Sequence, residues 1–154
     1  MANLEPLIQS IPVAPLKLAS LEGCRTLADQ VNNYLVSFRH ESPTNVGQAD
    51  SLQGYCADSY LLECECPRFG SGEGKGVLKE SVRGCDLFIM VDITNYSLTY
   101  KVWGHENHMS PDNHFQDLKR AIAAVGGKAR RVNVIMPYLY GKGISLKENK
   151  GCLL

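Results

Sequence analysis

The chain has 154 residues, about one domain, and its 16 basic and 16 acidic side chains cancel, with a pI near 6.9. That balance excludes the basic stripe of a nucleic-acid binder and the basic amphipathic helix of a membrane-surface protein. A domain near this size buries roughly 68–70% of its unfolded surface, so a proper core is expected.

Residues 1–15 read as an irregular arm. Pro6, Pro12 and Pro15 remove backbone donors and forbid a regular helix. The stretch carries no Lys or Arg and contains Glu5, so it does not read as a secretory leader. No apolar run reaches the roughly 20 residues that span a bilayer. A cytoplasmic location is the default expectation, and the 6 cysteines then read as thiols in a reducing compartment.

Residues 16–19 suit a first short strand, followed by a turn over residues 20–25. Leu27, Val31, Tyr34, Leu35 and Phe38 then recur at helical spacing and predict an amphipathic helix with one buried stripe. Residues 40–59 are polar, contain Pro43, Gly47 and Gly54, and read as a loop or partly ordered excursion. Residues 60–66 alternate, with Leu62, Cys64 and Cys66 on one face and Glu63 and Glu65 on the other, which predicts a half-buried strand. Two cysteines on one strand face seldom form a good disulfide, so Cys64 and Cys66 read as plain core thiols.

Residues 68–76 form a glycine-dense loop holding Phe69 and Glu73. The apolar run of residues 87–91 marks a strand buried on both faces. Residues 94–109 are rich in aromatic and His side chains, among them Tyr96, Tyr100, Trp103, His105 and His108. His105 and His108 stand three apart, which fits no established zinc spacing, so the segment reads as a solvated loop. Ser110, Pro111 and Asp112 predict a helix start by capping, fixed φ and dipole respectively. Phe115, Leu118, Ile122 and Val125 predict its buried stripe, and Gly126-Gly127 its end. Residues 131–138 suit another strand. Strand, helix and strand in alternation predict an α/β fold with a largely parallel sheet flanked by helices.

Within this frame the loop residues carry the chemistry. A nucleotide base needs an aromatic face to stack on and hydrogen-bonding groups at its edge. Phe69, Ser71 and Glu73 alternate, so an extended hairpin would point all three the same way. The competing reading is a glycine-rich turn with a packed Phe69.

The block Arg68-Phe69-Gly70-Ser71-Gly72-Glu73, followed by Glu80-Ser81-Val82-Arg83-Gly84-Cys85-Asp86-Leu87-Phe88-Ile89, resembles the N-terminal half of ribose-phosphate pyrophosphokinases. The family pattern is Arg-Phe-Ser-Asp-Gly-Glu, a short strand, then Glu-Ser-Val-Arg-Gly-x-Asp-Val-Phe-Ile. Residues 26–35, 117–121 and 131–138 are similar to the family's next elements, so the likeness covers residues 16–140. Residues 40–59 and 94–109 are insertions relative to the pattern.

The resemblance implies a phosphoribosyltransferase-like N-terminal domain. It also implies diphosphoryl transfer from Mg-ATP to ribose 5-phosphate, with Mg2+ and ATP as cofactor and co-substrate. Phe69, Ser71 and Glu73 would touch the adenine of ATP in a neighbouring subunit, and Ser71 stands where the family has Asp. The family's metal ligands and catalytic Lys and Arg match no residue here, nor does its Arg-Gln pair after residue 140. No catalytic or metal-binding residue is therefore assigned, no turnover by this polypeptide alone is expected, and residues 141–154 read as a divergent tail of a truncated or frameshifted product.

The implied partner is another copy of the chain or a full-length homologue, with neither nucleic acid nor membrane. The alternatives are a non-catalytic subunit of the same family, or a protein binding metal or sensing thiols through the His segment and the cysteines. A phosphate-binding role for Arg83 is the weaker of its two readings; the other is closure of a turn.

Overall fold

The computed structural model describes residues 14–41 and 56–138. The expectations for residues 1–13, 42–55 and 139–154 lie outside that range.

Four short strands run parallel: β1 (Leu16–Ser20), β2 (Leu61–Glu65), β4 (Asp86–Met90) and β7 (Arg131–Ile135). The two-residue β3 (Val77–Leu78) adds antiparallel to β2, giving the order β3-β2-β1-β4-β7. After Asp86, β4 is apolar through Met90 because both its faces are covered; Leu87 and Ile89 are fully buried. β1 pairs β4 from Leu16 opposite Asp86 to Ser20 opposite Met90. This register stacks Leu18 with Phe88 on one face and Ala19 with Ile89 on the other.

A helix covers each face. α1 (Arg25–Glu41) joins Ala28 and Val31 to Leu18, Leu61, Phe88 and Met90. α2 (Pro111–Val125) joins Leu118, Ala121 and Val125 to Ala19, Leu62, Cys64, Leu87 and Ile89. The alternation read in residues 60–66 holds, since Leu62 and Cys64 are buried and Cys66 packs against the same core.

The helix stripes need correction. Leu27 and Tyr34 of α1 are exposed, while Ala28 and Asn32 are buried. Asn32 is drawn inward because its Oδ1 accepts the Tyr60 N–H at 2.8 Å. The outer Tyr34 instead stacks on Phe38, with centroids 6.2 Å apart. On α2, Ile122 is exposed and Ala121 fully buried. The helix lies so close to the strand β3 that a Cβ on Gly76 would fall 2.2 Å from the Arg120 carbonyl oxygen. Only a small residue fits the contact row, which turns Ile122 outward.

The α2 caps follow the sequence signals. Ser110 Oγ accepts the Asn113 N–H at 3.2 Å, and Gly126 ends the helix in the left-handed conformation at φ 58°. Residues 94–109 are not the loop expected. They fold into an antiparallel hairpin, β5 (Thr99–Val102) with β6 (His105–His108). Thr99, Tyr100 and Val102 favour strand, and Trp103-Gly104 makes the two-residue turn with positive φ at both positions, 51° and 83°.

Candidate functional site

The glycine-dense loop is a tight hairpin. Arg68 and Gly74 form an antiparallel bridge, and the Phe69 N–H donates to the Glu73 carbonyl at 2.8 Å. The Gly72 N–H donates back to the Phe69 carbonyl, also at 2.8 Å, and Gly72 has φ +88°. This is a three-residue turn, Gly70-Ser71-Gly72, closed by a left-handed residue. Phe69 and Glu73 are the facing pair at its base, and facing residues of a hairpin project from one face. Ser71 sits at the tip, its Oγ 3.5 Å from the Glu73 N–H. Phe69 is 54% exposed, and Ser71 and Glu73 are also exposed. Phe69 therefore belongs to neither core cluster, and the packed-Phe reading fails.

A buried charge cluster fixes the base of this hairpin. Arg68 Nη2 donates to Asp117 Oδ2 at 2.8 Å, with side chains 10% and 9% exposed. Arg120 Nη1 reaches the other carboxylate oxygen at 2.9 Å. The Arg68 guanidinium also lies over the Tyr100 ring, 5.0 Å from its centroid. Gly74 leaves room for this guanidinium, since a Cβ there would lie 2.2 Å from Arg68 Nη1. Asp117 comes from α2 and Tyr100 from β5, so three elements meet at one arginine. Reading the sequence missed Asp117 and Tyr100, because the loop and the helix are 49 residues apart. The available signal was Arg68 itself, a cation at the root of an otherwise small-residue loop.

The β5–β6 hairpin docks on the same loop. The Trp103 N–H donates to the Gly70 carbonyl at 3.1 Å. Val102 Cγ2 fills the space above Gly72, where a Cβ would meet it at 2.8 Å. Two of the histidines make contacts within the fold. His108 stacks on Tyr96 with centroids 4.6 Å apart and bonds the Tyr96 carbonyl at 2.9 Å. His114 is buried and bonds the Asn95 carbonyl at 2.8 Å. Among the described residues no three His, Cys, Asp or Glu side chains gather as a metal site would require. The described cysteines are free thiols. Burial pushes the Cys66 thiol up to about 12, helped by the nearby Asp117 charge, and pushes Cys64 to about 11. Such thiols are poor nucleophiles and ligands at neutral pH. Arg83 is exposed in the turn before β4, where its N–H faces Ser81 Oγ at 3.4 Å.

A groove of about 530 Å3 runs behind the loop, lined by Glu22, Arg25, Glu65, Arg68, Ser97 and Tyr100 among others. None of Phe69, Ser71 and Glu73 lines it. A base stacked on Phe69 would lie on the outer face of the hairpin, with its far side open.

A mostly parallel five-stranded sheet with a helix on each face defines an α/β domain of the phosphoribosyltransferase-like kind. Comparison with protein families matches residues 16–148 to the N-terminal domain of ribose phosphate pyrophosphokinase, and the chain belongs to that family. Comparison with curated proteins and with solved structures gives no match.

Proposed function

We propose that this chain presents the adenine-contacting wall of the ATP site of a ribose-phosphate pyrophosphokinase, serving diphosphoryl transfer from Mg-ATP to ribose 5-phosphate. Phe69 offers the face on which the base stacks. The Glu73 carboxylate accepts from the 6-amino group of adenine, and the Ser71 hydroxyl donates to a ring nitrogen. Phosphoryl transfer depends mostly on positioning and charge neutralisation, so fixing the base fixes where the phosphates lie. The part of this loop in the reaction is orientation of the nucleotide. The wall has one side, so a second polypeptide, a copy of this chain or a homologue, closes the pocket. No described helix is long and apolar enough to cross a membrane, and the cytoplasm, where ATP is abundant, is the proposed location.

The exposure of Phe69 carries this reading. A phenylalanine 54% exposed on a hairpin locked by a buried arginine stabilises the fold little. Calorimetric titration with ATP tests it. Phe69→Ala should weaken binding about ten-fold, as loss of one stacked ring implies. Glu73→Ala should erase preference for ATP over inosine triphosphate, which lacks the 6-amino group. ATP affinity unchanged in Phe69→Ala would refute the proposal.

A further inference from the structure

We infer that the outer edge of β7 is a self-association surface, and that its occupant is β7 of a second copy of this chain, running antiparallel about a two-fold axis at Asn133. The inference does not rest on the reading of Phe69, whose loop lies at the opposite, β3 end of the sheet.

The two edges of the sheet are built differently. β3 is two residues long and antiparallel, and charged pairs flank it, Lys79 with Glu65 and Glu80 with Lys17. Short strands and charges are how a sheet protects an edge. β7 reads Arg131-Val132-Asn133-Val134-Ile135, and the charge of Arg131 is already taken up by Asp86 of β4. Val132, Val134 and Ile135 are 38%, 41% and 39% exposed. The valines share the α2 face with Leu87 and Ile89, their register partners, and Ile135 shares the α1 face with Met90. Apolar side chains on both faces belong to an interior strand. Ile122 extends the patch. Arg120 lies on the side of α2 that meets Gly76 beside β3, and two residues stand about 200° apart around a helix, which turns Ile122 toward β7. Among the described residues no strand pairs with the outer edge of β7.

The backbone says which partner fits. The Arg131 N–H donates to the Cys85 carbonyl and the Ile135 carbonyl accepts from Val91, so the odd-numbered residues of β7 aim their backbone groups at β4. Val132 and Val134 therefore aim theirs outward. A second β7 turned about Asn133 sets Val132 opposite Val134 of the copy, and Val134 opposite its Val132. These become hydrogen-bonded pairs, and every outward N–H and C=O of the two valines is matched. Asn133 meets its own counterpart at a non-hydrogen-bonded position, where side chains approach most closely. Two amides facing each other across the axis can exchange hydrogen bonds, and no like charges stand opposed. The strand is thus complementary to itself, as an isologous interface requires. The contact is small, so the dimer should be reversible, with a Kd in the micromolar range. It joins two five-stranded sheets into one and leaves both Phe69 loops at the far ends.

Sedimentation equilibrium of the full chain at roughly 100 μM should give twice the 17.0 kDa of one copy, and dilution should dissociate it. Val134→Lys should weaken association about ten-fold or more while circular dichroism and Tm stay as in the wild type, since a charge on a free edge costs the monomer little. Cross-linking reads the register. With the exposed Cys56 and Cys152 replaced by serine, Asn133→Cys should form an intermolecular disulfide under mild copper-catalysed oxidation, because equivalent Cβ atoms come within bonding range at the axis. Val132→Cys, whose counterpart is displaced along the strand, should cross-link several-fold more slowly. The cysteine pair decides the matter should Val134→Lys fail to fold. A monomer at that concentration overturns the inference. So does a dimer indifferent to Val134→Lys, or Val132→Cys cross-linking as fast as Asn133→Cys, since either puts the interface elsewhere or in another register. ATP binding is no part of the readout, so this inference and the reading of Phe69 fail separately.

Discussion

Replacing Arg68 by methionine removes the charge that holds the candidate loop to α2 and keeps most of the side-chain volume. Both partners of the Arg68–Asp117 pair are nearly buried, at 10% and 9% exposure. Breaking such a pair from one side costs about 3–5 kcal/mol, because the remaining charge stays desolvated. Asp117 keeps its bond to Arg120, which places the expected loss near the lower end, about 3 kcal/mol. For a chain of this length that corresponds to a fall in Tm of roughly 9 °C. Gly74→Ala should act through the same arginine. Its Cβ would lie 2.2 Å from Arg68 Nη1 and 3.0 Å from Arg120 Nη1, and Gly74 needs no positive φ. We expect a cost of about 2 kcal/mol in the wild-type chain, as for ordinary overpacking. In the Arg68→Met background it should drop below about 0.5 kcal/mol, since the flexible, half-exposed Arg120 gives way. Urea unfolding followed by circular dichroism on the two single variants and the double variant measures the coupling. Additivity within about 0.5 kcal/mol would refute the shared mechanism.

Two further outcomes follow from ionisable groups. Arg131 Nε and Nη2 grip the Asp86 carboxylate at 2.7 and 2.5 Å and hold its pKa below the usual carboxylate range. On acidification the unfolded chain takes up this proton first, so the contribution is complete above about pH 4 and is lost as pH falls through the folded value. The stability difference between wild type and Asp86→Asn, measured by urea unfolding from pH 7 downward, should hold constant to that point and then shrink. The thiols should divide by burial. In a Cys152→Ser background, Cys56 is exposed and should react fast with a thiol reagent at pH 8. Cys66, at about 12, has roughly one molecule in 10^4 as thiolate and should react only on unfolding. Fast labelling of Cys66 in the folded chain, read by peptide mass analysis, would contradict the packing described.

Local chemistry in the sequence determined most of the scaffold. The apolar run through Leu87 and Ile89 could only be a strand covered on both sides, and the caps Ser110 and Gly126 bounded α2 without help from the rest of the chain. The glycine-rich turn between Phe69 and Glu73 was legible as well, because glycines at fixed spacing restrict the backbone to few shapes; that Phe69 stays exposed is open in the sequence and seen only in the structure. Tertiary structure decided which helix rows face inward. Asn32 is buried by a bond to Tyr60, and Ile122 is turned out by the close approach at Gly76, and neither follows from periodicity. It also decided that residues 94–109 form a hairpin seated on the candidate loop. The contacts that join them, Arg68 to Asp117 and Trp103 to Gly70, link residues dozens of positions apart. A sequence pattern reports neighbours along the chain, and these pairs become neighbours only once the sheet has brought its crossovers together.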